Sequence, residues 1–429
     1  MRIAHLTPGT GSFYCGTCLR DRALLDALSA RGHEVRIVPM YLPSFPARGD
    51  APIRMGAVNL YMQQKLAFWS RVPRWLRALL DAPWALRWAA RQSGSTDPAF
   101  LGEMTVSMLQ GAEGRLASAA EELVACFDEQ PAPDVILLSN ALLAGLVPLL
   151  REHTQAALVC TLQGELPFLD ALPEPQRELA WSTLRERLQQ IDAFVAVSGH
   201  YAELMSARLD LNPECVAVVL NGVEIEEQDP AAPKRPTLGF LSRMCADKGL
   251  PLLVEAFVIL RERGKVPDLA LCVFGVEMPE DRPLVEEQRR RLRAAGLEDD
   301  AEFLPNVGDA EKRALLSTLS VFSVPATDGE SFGLYLLEAM AAGVPVVQPR
   351  HAAFPEIIEA TGGGLLCEPN DPVALAETIE RLLLDEEEAR RLGERGRRAV
   401  REDFGADRMA REVEVILERA LASRRETHV

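Results

Sequence analysis

The sequence is short of basic charge: 46 Lys and Arg stand against 63 Asp and Glu, a formal net charge of −17. Neutralising a nucleic-acid backbone takes clustered Lys and Arg, so a general nucleic-acid binder is excluded and the acidity favours solubility. No uninterrupted apolar run approaches the length of a membrane-spanning helix. The start, Met1-Arg2-Ile3-Ala4-His5-Leu6-Thr7-Pro8-Gly9, runs into a short apolar strand with no signal-peptide core. A cytoplasmic enzyme is the expectation. The eight cysteines, at positions 15, 18, 126, 160, 215, 245, 272 and 367, are too scattered for a disulfide framework and read mostly as reduced core residues. A metal-ligand cluster is also missing, and no metal is expected.

What is present is a large soluble chain. At 429 residues it exceeds what one hydrophobic core usually organises, and 48% apolar with 25% charged residues is ordinary for a globular protein. Short β-branched runs alternate with longer helical patterns. The first series of strands is Arg2 to Leu6, Glu34 to Pro39, Val135 to Leu138, Ala157 to Thr161, Ala193 to Val197 and Cys215 to Val219. The second is Thr237 to Leu241, Leu269 to Phe274, Glu302 to Leu304, Val321 to Pro325, Val344 to Val347 and Gly364 to Leu366. Such alternation predicts α/β architecture, with parallel sheets covered by helices. Two series of six, separated by Asn221-Gly222-Val223 and the polar stretch 224–236, predict two doubly wound domains that bind ligands at the carboxyl ends of their strands.

The segment 41–122 breaks the rhythm and reads as a helical insertion. Within it, 65–91 carries Lys65, Arg71, Arg74, Arg77, Arg87 and Arg91 against Asp81 alone, with Phe68, Trp69, Trp75, Trp84 and Trp88. Two readings stand: a basic amphipathic pair for peripheral contact with an anionic membrane or an acceptor, or a hairpin packing its aromatics on the first domain.

Chemistry concentrates at Asp328-Gly329-Glu330-Ser331-Phe332-Gly333-Leu334, followed by a Leu-, Ala- and Met-rich helix with Glu338 inside it. Phe332, Gly333 and Leu334 sit where the first N–H groups of a helix lack internal partners and attract phosphate. Carboxylates on either side can accept hydrogen bonds from hydroxyls, which suits a sugar attached to a nucleoside diphosphate. The plainer alternative is a solvated Glu330 that complements the helix dipole. Arg243 and Lys248 follow the first strand of the second series, where ligands are expected, and can only donate; each alone could be a surface cation.

The loop Pro8-Gly9-Thr10-Gly11-Ser12-Phe13-Tyr14-Cys15-Gly16-Thr17-Cys18 precedes a helix from Leu19 to Ser29, and Gly16 allows a ligand close to the backbone. Its glycines miss the spacing of a dinucleotide fingerprint. Cys15-Gly16-Thr17-Cys18 admits a metal, a redox pair or a packing role.

Glu330 with Glu338, Arg243 with Lys248-Gly249, Asn221-Gly222-Val223 and Arg31-Gly32-His33-Glu34-Val35 together resemble glycosyltransferase family 4, retaining enzymes of the GT-B fold. The resemblance covers the chain except the insertion. It implies two Rossmann-like domains facing across a cleft: residues 1–222 with a C-terminal helix at about 406–429 on the acceptor side, and 223–405 on the nucleotide-sugar donor side. It implies transfer from a UDP, GDP or ADP sugar to an acceptor sugar, glycan, lipid or small molecule, with front-face attack and no metal. Glu330 would bind hydroxyls of the transferred sugar and Glu338 the ribose. Arg243 and Lys248 would hold the diphosphate, Phe332, Gly333, Leu334 and Gly16 would approach sugar and phosphate, and Asn306 and Val307 would lie beside the nucleobase. Where many members carry a His in a T-x-H-G loop, this chain reads Thr161-Leu162-Gln163-Gly164-Glu165. The resemblance leaves Gln163 to donate to a sugar hydroxyl and Glu165 to act as base or to orient the acceptor. A GT-B nucleotide-sugar epimerase would draw on the same residues, and a redox or binding protein built on Cys15 and Cys18 is the reading from another class.

Overall fold

The computed structural model describes residues 1–8, 16–40, 98–114, 131–224 and 234–427. Outside it lie Cys15 with the rest of the loop 9–15, the stretches 41–97 and 115–122 of the expected insertion, which include 65–91, and the linker 225–233.

Among the described residues twelve strands form: β1 Arg2–Thr7, β2 Glu34–Pro39, β3 Val135–Leu138, β4 Ala157–Leu162, β5 Ala193–Ala196, β6 Val216–Val218, β7 Thr237–Arg243, β8 Ala270–Val276, β9 Ala301–Pro305, β10 Val321–Phe322, β11 Val346–Pro349 and β12 Gly364–Cys367. They make two parallel six-stranded sheets, in the orders β2-β1-β3-β4-β5-β6 and β12-β11-β10-β7-β8-β9. Every residue of β3 and β4 is buried, as expected for parallel strands covered by helices on both faces. The α/β fold expected from the alternation is the fold observed.

Most strand ends shift by one or two residues from expectation; at β11 and β10 the reason is local. The ladder of β11 begins two residues late because Pro345 has no N–H to donate, while the Val344 amide closes the preceding helix on the Ala339 carbonyl. β10 pairs over Val321–Phe322 alone, because the chain beyond it bends away from the sheet into the loop that carries Glu330.

The chain divides into two compact units, Met1–Leu220 with Met409–Val429, and Asn221–Arg408. In the first, Glu414 of the last helix, Ala406–Thr427, meets Arg31 Nε at 2.8 Å and His33 Nε2 at 2.8 Å. The Arg31-Gly32-His33 motif thereby fastens the C-terminal helix. The described end of the insertion, the helix Pro98–Gln110, packs on the helix Gln176–Leu188, and Arg187 Nη2 reaches Glu113 at 2.5 Å.

Strand order reverses between β1 and β3 in the first sheet and between β7 and β10 in the second. In open α/β sheets these switch points are where ligands bind, beyond the carboxyl ends of the strands. Arg243 ends β7, Lys248 follows it and Glu330 follows β10, so chain topology brings together Lys248 and Glu330, 82 positions apart.

Candidate active site

In the second unit the site is built on two loops that touch. Gly249 ends the β7 loop at φ +75, and a Cβ there would lie 1.9 Å from the Pro325 carbonyl oxygen. Only glycine allows that approach and that backbone angle. The Thr327 amide donates to the Asp247 carbonyl at 2.9 Å, which ties the β7 loop to the β10 loop.

Across this junction Lys248 Nζ lies 2.6 Å from Glu330 Oε2, and Tyr335 Oη donates to the same oxygen at 2.9 Å. Burial acts to lower the Lys248 pKa, but the Glu330 carboxylate more than offsets it and the ammonium is held above the ordinary lysine value. Burial, then the Glu330 charge, pushes the Tyr335 phenol well up, so it remains a donor. The two charges hold each other in place while both stay partly open, with side chains 29% and 12% exposed.

The helix Leu334–Ala341 starts at Gly333, at φ +90, and no side chain caps it. The Leu336 amide donates to the Gly333 carbonyl at 2.9 Å, and the N–H groups before it lie at the start of the helix, where no intrahelical carbonyl precedes them. Phe332 is buried and anchors the turn, while Leu334 and Glu338, four residues apart, share a half-exposed face.

Glu338 Oε1 accepts from Lys312 Nζ at 2.5 Å, and Lys312 also lies 3.7 Å from Asp309. Lys312 is buried, so the pair fixes the Glu338 carboxylate in one direction. Asn306, in the left-handed region at φ +58, follows β9; its backbone N–H meets the Gly275 carbonyl at 2.6 Å, and it is exposed beside half-exposed Val307.

Arg243 does not touch Lys248 or Glu330. Asp281 takes its Nε at 2.7 Å and its Nη2 at 2.9 Å, and Glu280 takes Nη2 at 3.0 Å. The hydrogen bonds to Asp281 raise the guanidinium pKa further. This fork leaves Nη1 as the donor edge that faces elsewhere.

In the first unit Gly16 is the exposed first residue of the helix Gly16–Ala30. Gln163, at the end of β4, is buried: its Nε2 donates to the Ser139 carbonyl at 2.7 Å and to Asp21 Oδ1 at 3.3 Å. Donation from Gln163 to a sugar hydroxyl is therefore corrected, because both amide protons are already engaged. Asp21 also receives Arg20 Nη1 at 3.0 Å, His5 Nε2 at 3.2 Å and Ser139 Oγ at 2.5 Å. Burial alone would raise its pKa; His5, Arg20 and Ser139 overcome that and pull it to about 2.

Glu165 is 1% exposed. Oε1 accepts the Ala141 amide at 2.9 Å and Oε2 the Tyr201 hydroxyl at 2.8 Å, so both oxygens are spent on protein. Burial raises its pKa against these hydrogen bonds. The geometry makes Glu165 a tie between β4, residues 141–146 and the helix Gly199–Leu209.

Sequence reading missed Lys312, Asp281, Asp21 and Tyr335. For Asp21 a signal existed, since it lies with Leu24, Leu25 and Leu28 on the buried stripe of its helix. Among the described residues no group of three or more His, Cys, Asp and Glu could hold a metal ion, and no helix is long and apolar enough to cross a membrane.

Residues 20–222 match the model of the glycosyl transferase 4-like domain, and residues 223–399 that of glycosyl transferases group 1. An N-acetyl-alpha-D-glucosaminyl L-malate synthase of Bacillus anthracis is 39% identical over 120 residues, covering 28% of this chain and 31% of that protein. A GDP-mannose-dependent alpha-(1-6)-phosphatidylinositol monomannoside mannosyltransferase of Mycobacterium tuberculosis is 31% identical over 183 residues, covering 41% and 46%. The chain thus spans about half or less of the length of the curated relatives it matches. Anabaena HepE, solved in complex with UDP, superimposes with a TM-score of 0.67 at 16% identity, over 97% of this chain and 100% of that one. With both halves matched in order and a doubly wound sheet in each, the chain belongs to the glycosyltransferases of the family 4 type, with the GT-B fold.

Proposed function

We propose that the protein is a retaining glycosyltransferase that moves a sugar from a nucleoside-diphosphate sugar to an acceptor hydroxyl. The observation that carries this is the Lys248–Glu330 pair at the β7/β10 switch point, beside a helix start that no side chain caps. An anionic diphosphate gains from the ammonium and from the positive end of the helix dipole, and a sugar hydroxyl gains from the carboxylate. Glu338, aimed by Lys312, accepts from the ribose, and Asn306 and Val307 border the base. Arg243 meets phosphate through Nη1 while Asp281 holds its other edge.

In this reading residues 223–405 bind the donor, and 1–222 with 406–429 bind the acceptor. The bond between the anomeric carbon and the leaving phosphate oxygen breaks as the bond to the acceptor oxygen forms on the same face. The acceptor's proton passes to the departing phosphate. Lys248 and Arg243 stabilise the charge that develops there, the task a divalent ion performs elsewhere, so we expect no metal dependence. UDP and GDP are the first donors to try, since HepE was solved with UDP and the mycobacterial relative is named GDP-mannose-dependent. Cys160, Cys215, Cys245, Cys272 and Cys367 are free thiols, which suits the cytoplasm.

The test is release of nucleoside diphosphate from UDP-glucose, GDP-mannose or ADP-glucose when sugar, polyol and lipid acceptors are added, with and without chelator. Acceptor-dependent release supports transfer. Interconversion of the sugar nucleotide with no acceptor present would replace this reading with epimerisation.

A further inference from the structure

At the switch point of the first sheet, a buried carboxylate decides what Gln163 can offer. Gln163 Nε2 carries two protons, and two acceptors take them: the Ser139 carbonyl at 2.7 Å and Asp21 Oδ1 at 3.3 Å. Turning the amide over would set its oxygen against a carbonyl and a carboxylate, three acceptors with no proton among them. Hydrogen-bond chemistry thus fixes the orientation, which X-ray density would leave to inference. Asp21 is itself fixed by Arg20, His5 and Ser139, so it cannot swing away or lend itself to another partner.

We propose that Asp21 is a positioning residue that makes Gln163 a hydrogen-bond acceptor and nothing else, so that Oε1 selects a ligand hydroxyl able to donate a proton. This rests on the transferase reading and deepens it by naming the group recognised beside β4. An imidazole at this position could donate, accept or titrate near neutral pH; the locked amide does none of these but accept. The hydroxyl belongs either to the transferred sugar or to the acceptor.

Three measurements test this. The first needs no ligand: hydrogen exchange of the Gln163 side-chain amide, in protein labelled with ¹⁵N at glutamine, in the wild type and in Asp21→Asn. Exchange at least tenfold faster in the variant is expected, and equal rates overturn the lock. Because this reading involves no turnover, it stands apart from any failure of the transferase assignment.

The second uses deoxy and deoxyfluoro analogues of whichever of UDP-glucose and GDP-mannose is turned over, and then of the acceptor. Fluorine can accept but cannot donate, so at one position both analogues should lose tenfold or more in kcat/KM in the wild type and lose nothing further in Gln163→Leu, which separates this hydroxyl from the one that Glu330 accepts. The series that shows the loss, donor or acceptor, identifies the source of the hydroxyl. Fluoro analogues that match the parent at every position, where deoxy analogues fail, would mean that Gln163 donates and would overturn the proposal.

Gln163→Glu guards against a misfolded Asp21 variant. Facing Asp21, with Arg20, His5 and Glu165 the other titratable groups around it, this side chain keeps its place by holding a proton and still offers a carbonyl. Its kcat/KM relative to wild type should fall at least tenfold between pH 5.5 and pH 8. A constant ratio contradicts the one-way acceptor.

Discussion

Lys248 Nζ and Glu330 Oε2 lie 2.6 Å apart, joining two loops that follow different strands of the same sheet. Neither loop would hold its charge in place alone. Lys248 is drawn out of solvent by Glu330, and Glu330 is kept open on one side because Lys248 and Tyr335 occupy the other.

Because the two side chains act as a unit, their substitutions should not add. Lys248→Ala and Glu330→Gln are each expected to lower turnover by about 100-fold or more. The double variant should lose little beyond the worse single one. Steady-state release of nucleoside diphosphate by all three variants checks this, and independent, multiplying losses would separate the two roles.

Lys312 is buried against Glu338 at 2.5 Å. Lys312→Met takes the ammonium from a half-exposed carboxylate, so it should cost less than the roughly 3–5 kcal/mol of breaking a fully buried pair. The variant should melt earlier and bind nucleotide more weakly, while Lys312→Met with Glu338→Leu should recover stability but not binding. Thermal denaturation with and without nucleotide distinguishes these outcomes.

Asp21 gives a pH signature. Its folded pKa, about 2, lies below the ordinary aspartate value of 3.8, so the stability it contributes is fully present above about pH 4 and is lost as pH falls towards 2. The gap is worth about 2 kcal/mol. Denaturant melts between pH 5 and pH 2 should show a shallower acid loss in Asp21→Asn than in wild type, from a lower starting stability.

Glu165 separates a catalytic base from a structural tie. With both oxygens engaged by Ala141 and Tyr201, Glu165→Gln should keep turnover within about threefold and leave the pH–rate profile unmoved, whereas removing a general base costs about 100-fold or more. Glu165→Ala should lose stability in thermal melts.

Much of the fold could be read from the sequence, because buried parallel strands declare themselves as short β-branched runs between helices. All twelve expected runs contain a strand. The Glu330 and Glu338 pair was legible for a related reason: loop, helix start and carboxylates are contiguous, so spacing alone orients them. Lys312 was not, and Lys248 was legible as a cation after its strand but its pairing with Glu330 was not: Lys312 is 26 residues from Glu338, and Lys248 is 82 from Glu330, separations that only strand order can close. Asp281 follows β8 and reads as an ordinary charged turn until Arg243 reaches it. Gln163 and Glu165 differ in the opposite sense, since polar residues in a loop after a strand look free to donate or accept, and here the Gln163 amide protons and both Glu165 oxygens are engaged by buried protein groups. Local pattern reports which residue types are near one another in sequence; burial and pairing across the sheet decide what they can still do.

The central claim is that the β7 and β10 loops of the second unit receive the diphosphate of a nucleotide sugar. Calorimetric titration of UDP, GDP and ADP into the wild type and into Lys248→Ala tests it most directly. At least one of the three should bind the wild type, with affinity for the variant at least about tenfold lower, the loss of one charge-assisted contact. Binding of none of them, or equal affinity in wild type and variant, would contradict it.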